Sequence, residues 1–108
     1  MPFTIRIELH QADRHKYDDL HDQMEAAGFV RKALATDGVW YDLLPGEYRY
    51  EQEADGAAVR TAAKEIAQRV QPSRTPQVFV TEGTWWGCDL RPHDPMAELA
   101  RAIARNSR

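Results

Sequence analysis

The chain has 108 residues, of which 43% are hydrophobic and 29% charged, enough for one globular domain with its own core. The formal net charge of −3 argues against bulk electrostatic binding to nucleic acid, and DNA is not an expected partner. No apolar run approaches the roughly 20 residues that cross a membrane, and the N-terminus lacks signal-peptide features. A single cysteine, Cys88, excludes an internal disulfide. These features favour a cytoplasmic protein without a cofactor.

The first half of the chain predicts a strand, a helix and a hairpin. Residues 3–9 alternate between apolar and polar side chains, which indicates a strand with one buried face. Asp13 is placed to cap a helix that ends at Gly28. Residues 29–35 form the next predicted strand, and Asp37-Gly38 supplies its turn. The return strand, 39–44 and 47–51, should break or bulge at Pro45-Gly46.

The second half completes an α+β fold. Asp55 caps a helix over about residues 56–70, and residues 77–81 form a short strand. The order β-α-β-β-α-β predicts a ferredoxin-like sandwich, with a four-stranded antiparallel sheet and both helices on one face. Residues 1–81 would form this core and residues 82–108 an extension of the same domain. Its final amphipathic helix, starting at Asp94-Pro95, needs a cover from this chain or another.

Two groups of side chains could carry chemistry on the first strand and helix. His10, at the strand end, could act as a general base with Asp13 as its orienting carboxylate, although Asp13 is also explained as a helix cap. Asp18, His21, Asp22 and Glu25 share one side of the helix. A solvated face explains this group better than a metal site, and we predict no metal.

The hairpin carries the predicted RNA-binding residues. Aromatic side chains beside cationic ones can stack unpaired bases and hold phosphate. This interpretation selects Arg31, Lys32, Tyr48, Arg49 and Tyr50. Cross-strand packing or a dimer interface is the alternative explanation.

Trp85 and Trp86 are predicted to form a self-association surface, so we expect a homodimer. Adjacent residues on a strand point to opposite faces, and at least one of these indoles should therefore meet solvent or a partner. Cys88, close by, has no neighbouring feature that would activate its thiol.

The segments TIRIELH, AAGF and DGVWYDLLPGEYRYE together resemble the family of the bacterial type V antitoxin GhoS, over about residues 3–81. The resemblance rests on the element order and on Gly38, Tyr41, Leu44, Pro45 and Tyr48. It implies a ferredoxin-like fold, similar in shape to the small Cas protein of CRISPR spacer acquisition. It also implies an endoribonuclease that cleaves the messenger RNA of a small membrane toxin. Where that family has an aspartate at the end of the first strand, this chain has His10, so no catalytic residue is carried over.

Two functions follow as hypotheses. The first is a GhoS-like, RNA-directed protein, and an endoribonuclease if His10 takes the ribose 2′-hydroxyl proton while Arg31, Lys32 and Arg49 steady the phosphate. The second is a non-catalytic dimeric module of ferredoxin-like shape that binds a protein or a small ligand. A fold shared by many functions does not decide between them.

Overall fold

The computed structural model describes residues 1–106, so Ser107 and Arg108 of the predicted extension lie outside it. Within those residues it is an α+β fold with three helices and two antiparallel sheets. The elements in chain order are β1 (Phe3–Glu8), α1 (Arg14–Ala26), β2 (Lys32–Leu34), β3 (Trp40–Asp42), β4 (Glu47–Tyr50), α2 (Gly56–Val70), β5 (Gln77–Glu82) and α3 (Pro95–Asn106).

The larger sheet has three strands in the order β4-β1-β5, with β1 antiparallel to both neighbours. Phe3, Ile5 and Ile7 of β1 are buried while the alternate side chains point away, so the predicted period of two is confirmed. The other face of this sheet is open. Phe79 of β5 is 64% exposed there, directly across from Arg6 of β1.

The predicted return strand is divided at Pro45-Gly46. Its first part, β3, pairs with β2 in a separate two-stranded sheet, and its second part, β4, pairs with β1. The single four-stranded sheet is therefore not formed, although an isolated bridge joins Val30 to Arg49. Only glycine fits at position 46, where the strand is interrupted. Its φ is +83°, and an added Cβ would clash with the carbonyl oxygen of Ile7.

Helices α1 and α2 begin where the sequence predicts. The Asp13 carboxylate accepts a hydrogen bond from the Lys16 backbone N–H at 3.1 Å, and Asp55 accepts one from Ala58 at 3.3 Å. Both helices bury their apolar stripes against the larger sheet. The shared core consists of Phe3, Ile5, Ile7, Leu9, Leu20, Met24, Phe29, Tyr48, Val59, Ala63, Ile66, Ala67 and Val70.

The segment after β5 returns to lie beside β3. The Asp42 backbone N–H donates to the Arg91 carbonyl at 3.0 Å, and the His93 N–H donates to the Trp40 carbonyl at 2.7 Å. Helix α3 begins after Asp94, as predicted. Its apolar side chains remain largely uncovered, since Met96 is 71% and Leu99 52% exposed. Among residues 1–106, no helix combines the length and apolar character that crossing a bilayer requires.

Candidate functional site

A cleft of about 990 Å³ opens between α1, the β2–β3 hairpin and the segment that carries α3. Helix α1 contributes side chains at helical spacing, while the hairpin and α3 contribute the opposite wall. Apolar and charged groups alternate around the opening, as in many ligand sites. The lining residues are Arg14, Tyr17, Asp18, His21, Glu25, Phe29, Val30, Arg31, Lys32, Asp42, Leu43, Pro45, His93, Glu98 and Arg101.

The floor of the cleft holds a buried polar pair. The His21 ring Nδ1 hydrogen-bonds the phenolic oxygen of Tyr48, whose side chain is completely buried in the core. Burial, and then the nearby Arg31 guanidinium, lower the pKa of His21 to about 4, against a smaller opposing effect of Asp18. Burial likewise raises the pKa of Tyr48. Both groups are therefore neutral near pH 7, and the charged side chains that act on them are Arg31, Asp18 and Glu25.

Arg31 is not saturated by the protein. Its Nε is buried and has no hydrogen-bond partner among residues 1–106. A buried donor without a partner costs free energy, so an acceptor supplied by a ligand would be favourable. Arg14 and Arg101 also line the cleft, and within the described residues neither they nor Arg31 forms an ion pair.

The rim of the cleft is formed by four linked side chains, Asp42, His93, Glu98 and Lys32, called here the His93 cluster. His93 Nδ1 lies 2.6 Å from Asp42 Oδ1, and His93 Nε2 lies 2.6 Å from Glu98 Oε2. Lys32 Nζ is 3.6 Å from the same Glu98 oxygen and 5.3 Å from the centre of the Trp40 ring. The cluster joins the hairpin to α3.

The His93 cluster favours the ionised form of Glu98. The hydrogen bond from His93 is the largest cause that lowers the pKa of Glu98, and Lys32 adds to it, while partial burial opposes it. A carboxylate only accepts, so the ring must carry protons on both nitrogens to donate to Asp42 and Glu98 together. In that state the cluster contains two positive and two negative groups.

The predicted catalytic pair lies away from this cleft. The His10 side chain is exposed, while its backbone N–H and carbonyl both bond the Gln71 amide, at 2.8 and 2.7 Å. The Asp13 carboxylate serves as the cap of α1. No hydrogen bond joins His10 to Asp13 in the part of the chain that the structure describes, so the two are not assembled as an acid–base pair.

The predicted RNA-binding residues are divided between two faces. Arg31 and Lys32 line the cleft. Tyr48 is fully buried and the Tyr50 ring packs on Phe29 at 4.8 Å, so Tyr48 offers no ring face for stacking. Arg49 points to the opposite side of the sheet, where it bonds Glu51 at 3.2 Å and Thr4 at 2.7 Å.

The remaining sequence candidates are distributed over the surface. Trp85 is 88% exposed and Trp86 half-buried in the loop after β5, and the Cys88 thiol is exposed. In the acidic set on α1, His21 points inward rather than to solvent, so that part of the solvated-face interpretation is wrong. Across residues 1–106, no three His, Cys, Asp or Glu side chains are arranged to hold a metal ion.

No motif in the sequence predicted the His93 cluster. His93 lies 51 residues after Asp42, and no spacing rule connects them. The only local signal is the spacing between the Asp94 cap and Glu98. Glu98 follows the cap by four residues and therefore lies one turn into α3.

Comparison with protein-family models, with curated proteins and with solved structures finds no match to this chain.

Proposed function

We propose that this chain is a GhoS-like, RNA-directed protein in which the cleft holds a phosphate of the bound strand. Arg31 would contact the phosphate at the floor, and Arg14, Arg101 and Lys32 would surround it. Charge-assisted hydrogen bonds from guanidinium groups suit phosphate oxygens well. An antitoxin of this kind would act in the cytoplasm, where messenger RNA is translated.

The observation that carries the proposal is the unsatisfied Arg31. Its Nε is buried without a partner, beside two further guanidinium groups that form no ion pair within residues 1–106. These guanidinium groups would contact one or two phosphates, although the cleft is lined by as many Asp and Glu as Lys and Arg side chains and the chain has a net charge of −3. Such binding should depend only weakly on salt, since few counterions are released.

The strand arrangement supports the same proposal. The order β4-β1-β5, extended beyond β4 by the Val30–Arg49 bridge, is what a ferredoxin-like sandwich would have if the bridge grew into a full ladder. The open face with Arg6 and Phe79 lies on the side of the sheet away from the cleft, and its aromatic and cation would give the bound strand a second contact, as in single-strand binding sheets.

The binding test compares two arginine variants. Arg31→Gln should weaken binding of a fluorescent oligoribonucleotide about tenfold, because one charge-assisted contact to phosphate is lost. Arg60→Gln on α2 makes the same charge change outside the cleft and should leave the affinity unchanged. Equal affinities for both variants and the unmutated protein would remove the phosphate role of the cleft.

Cleavage is tested separately. Purified protein is incubated with mixed cellular RNA, with and without EDTA, beside His10→Ala. If His10 is the base, cleavage persists in EDTA and disappears in the variant. His10 lies outside the cleft, so binding and cleavage can be lost separately. RNA binding without cleavage would support an RNA-binding antitoxin and exclude the nuclease activity.

The exposed apolar side chains favour a second candidate, a dimeric module without catalysis. Trp85 is 88% exposed, Leu34 51% and Leu99 52%, and a partner that covered them would bury apolar surface. Trp is enriched at the centres of protein interfaces. Light scattering of Trp85→Ala should then show a smaller species than the unmutated protein, and an equal mass would exclude an interface centred on Trp85.

A further inference from the structure

Glu98 places a carboxylate at the rim of a cleft that is lined by four Lys and Arg side chains and by three other carboxylates. Its Oε2 lies 2.6 Å from His93 Nε2 and 3.6 Å from Lys32 Nζ, and all three residues line the cleft. The carboxylate therefore occupies a position where two cationic donors converge. A phosphate oxygen could make the same two contacts.

The donors are held in place independently of Glu98. Asp42 accepts from His93 Nδ1 at 2.6 Å and so fixes the ring orientation, and the His93 side chain is only 8% exposed. The His93 backbone is anchored by its bond to the Trp40 carbonyl, while Lys32 lies over the Trp40 ring. None of these contacts involves Glu98.

The charges of the His93 cluster indicate what kind of ligand would replace Glu98. With His93 doubly protonated, Lys32 and His93 contribute two positive charges, and Asp42 and Glu98 two negative ones. Removing Glu98 leaves one positive charge. That matches the single negative charge of a phosphodiester, and a phosphodiester would restore neutrality in the cluster.

Helix α3 can move at a small cost in apolar contacts. Met96 and Leu99 are 71% and 52% exposed, so they would lose little buried surface if the helix shifted. The half-exposed Glu98 side chain, at 49%, can be reached by a competing anion from solvent.

We propose that Lys32 and His93 form a phosphate subsite that Glu98 occupies in the free protein, and that a phosphate of the bound strand displaces Glu98. This inference rests on the proposed RNA-directed function and adds to it a built-in competitor. Glu98 acts as an internal anion that lowers affinity and ties α3 to the hairpin until ligand arrives.

The experiment measures binding of inorganic phosphate and of a short labelled oligouridylate to matched variants. Glu98→Gln should bind both about fivefold more tightly or better, since the competing charge is gone. Glu65→Gln on α2 removes the same charge outside the cleft and should change affinity less than about twofold. Adding Lys32→Gln to Glu98→Gln should abolish the gain. Circular dichroism melts confirm that each variant is folded.

The outcomes separate the inference from the proposed function. Equal affinities for Glu98→Gln and Glu65→Gln would overturn the inference, because any gain would then be an effect of the net charge. RNA binding that Glu98→Gln does not tighten would remove the subsite and leave the RNA-directed function standing. A gain for phosphate with no RNA binding by any variant would keep the subsite and remove the function. No binding of either ligand would remove both.

Discussion

Two regions of this protein are held together by different forces. The inner region, made of β1, β4, β5, α1 and α2, surrounds a continuous apolar core. The outer region, made of the β2–β3 hairpin and residues 83–106, exposes large apolar side chains such as Trp40 and Leu99. Backbone pairing along β3 and the His93 cluster join its two parts to each other, while the Val30–Arg49 bridge and the Gly83 N–H bond to the Pro2 carbonyl tie it to the inner region.

The difference indicates where stability and where adaptability lie. Burial of apolar surface dominates folding, whereas partly exposed ion pairs contribute little each. We therefore expect the outer region to open locally while the inner region stays folded. The cleft lies along the boundary, with α1 of the inner region on one side and α3 of the outer region on the other.

The largest contrast should come from one substitution made in both regions. Leu20→Ala removes a completely buried side chain from the core and should lower the free energy of unfolding by about 3–5 kcal/mol. Leu99→Ala removes a half-exposed side chain from α3 and should change it by less than about 0.5 kcal/mol. Urea titration measures both. Similar losses would show that α3 is as firmly packed as the core.

A second contrast uses two glycines with nearly the same backbone conformation. Gly46 has a φ of +83° and Gly38 a φ of +82°, but an added Cβ meets the Ile7 carbonyl only at Gly46. Gly38→Ala should cost about 1 kcal/mol from the left-handed backbone alone. Gly46→Ala should cost about 2–4 kcal/mol, because the contact between β4 and β1 must also shift. If thermal unfolding shows equal losses of stability for the two variants, the close approach of Gly46 to Ile7 is not required.

The smallest contrast is in the dependence of stability on pH. The folded pKa of His21 is about 4 and its ordinary value is 6.5, so the unfolded chain binds more protons between these values. The contribution of His21 to the free energy of unfolding is complete above about pH 6.5 and decreases as the pH drops toward 4. The decrease should be about 1–2 kcal/mol, because solvent still reaches part of the ring. His21→Gln should flatten this part of the curve.

Glu98 should act in a lower window. Its folded pKa is lowered from the ordinary value of 4.5, so its contribution is present above that value and is lost as the pH falls through the folded pKa. Glu98→Gln should therefore leave the fall between pH 6.5 and 4.5 unchanged. If instead it removed that fall, the pH dependence between 6.5 and 4.5 would not come from His21.

Local sequence signals predicted the elements well and their pairing less well. Asp13, Asp55 and Asp94 each mark a helix start as expected, because a cap depends only on the next few residues. Pro45-Gly46 was expected to interrupt one strand, but the two halves joined different sheets. The predicted strand 29–35 is reduced to Lys32–Leu34, the residues that pair with β3 in the smaller sheet. A local pattern can predict that a strand is interrupted. It does not predict which strand each half will pair with.

The candidate site was predicted only in part. Arg31 and Lys32 were selected from the sequence and do line the cleft, whereas Tyr48 is in the core and Arg49 is on the other face. The alternation along β4 made one aromatic set inward-facing, but which set depended on the register after Gly46. His93 and Glu98 could not be found, since they reach the cleft only through pairing of residues 91–93 with β3.

The order of residues alone determined the capped helices, the buried face of β1 and the turn of the hairpin, because each depends on neighbours within a few positions. The tertiary structure decided which side chains share the cleft, how Glu98 comes to meet Lys32 and His93, and which face each tyrosine takes. Those outcomes depend on contacts between distant segments, and such contacts are selected by packing of the whole chain rather than by any local pattern.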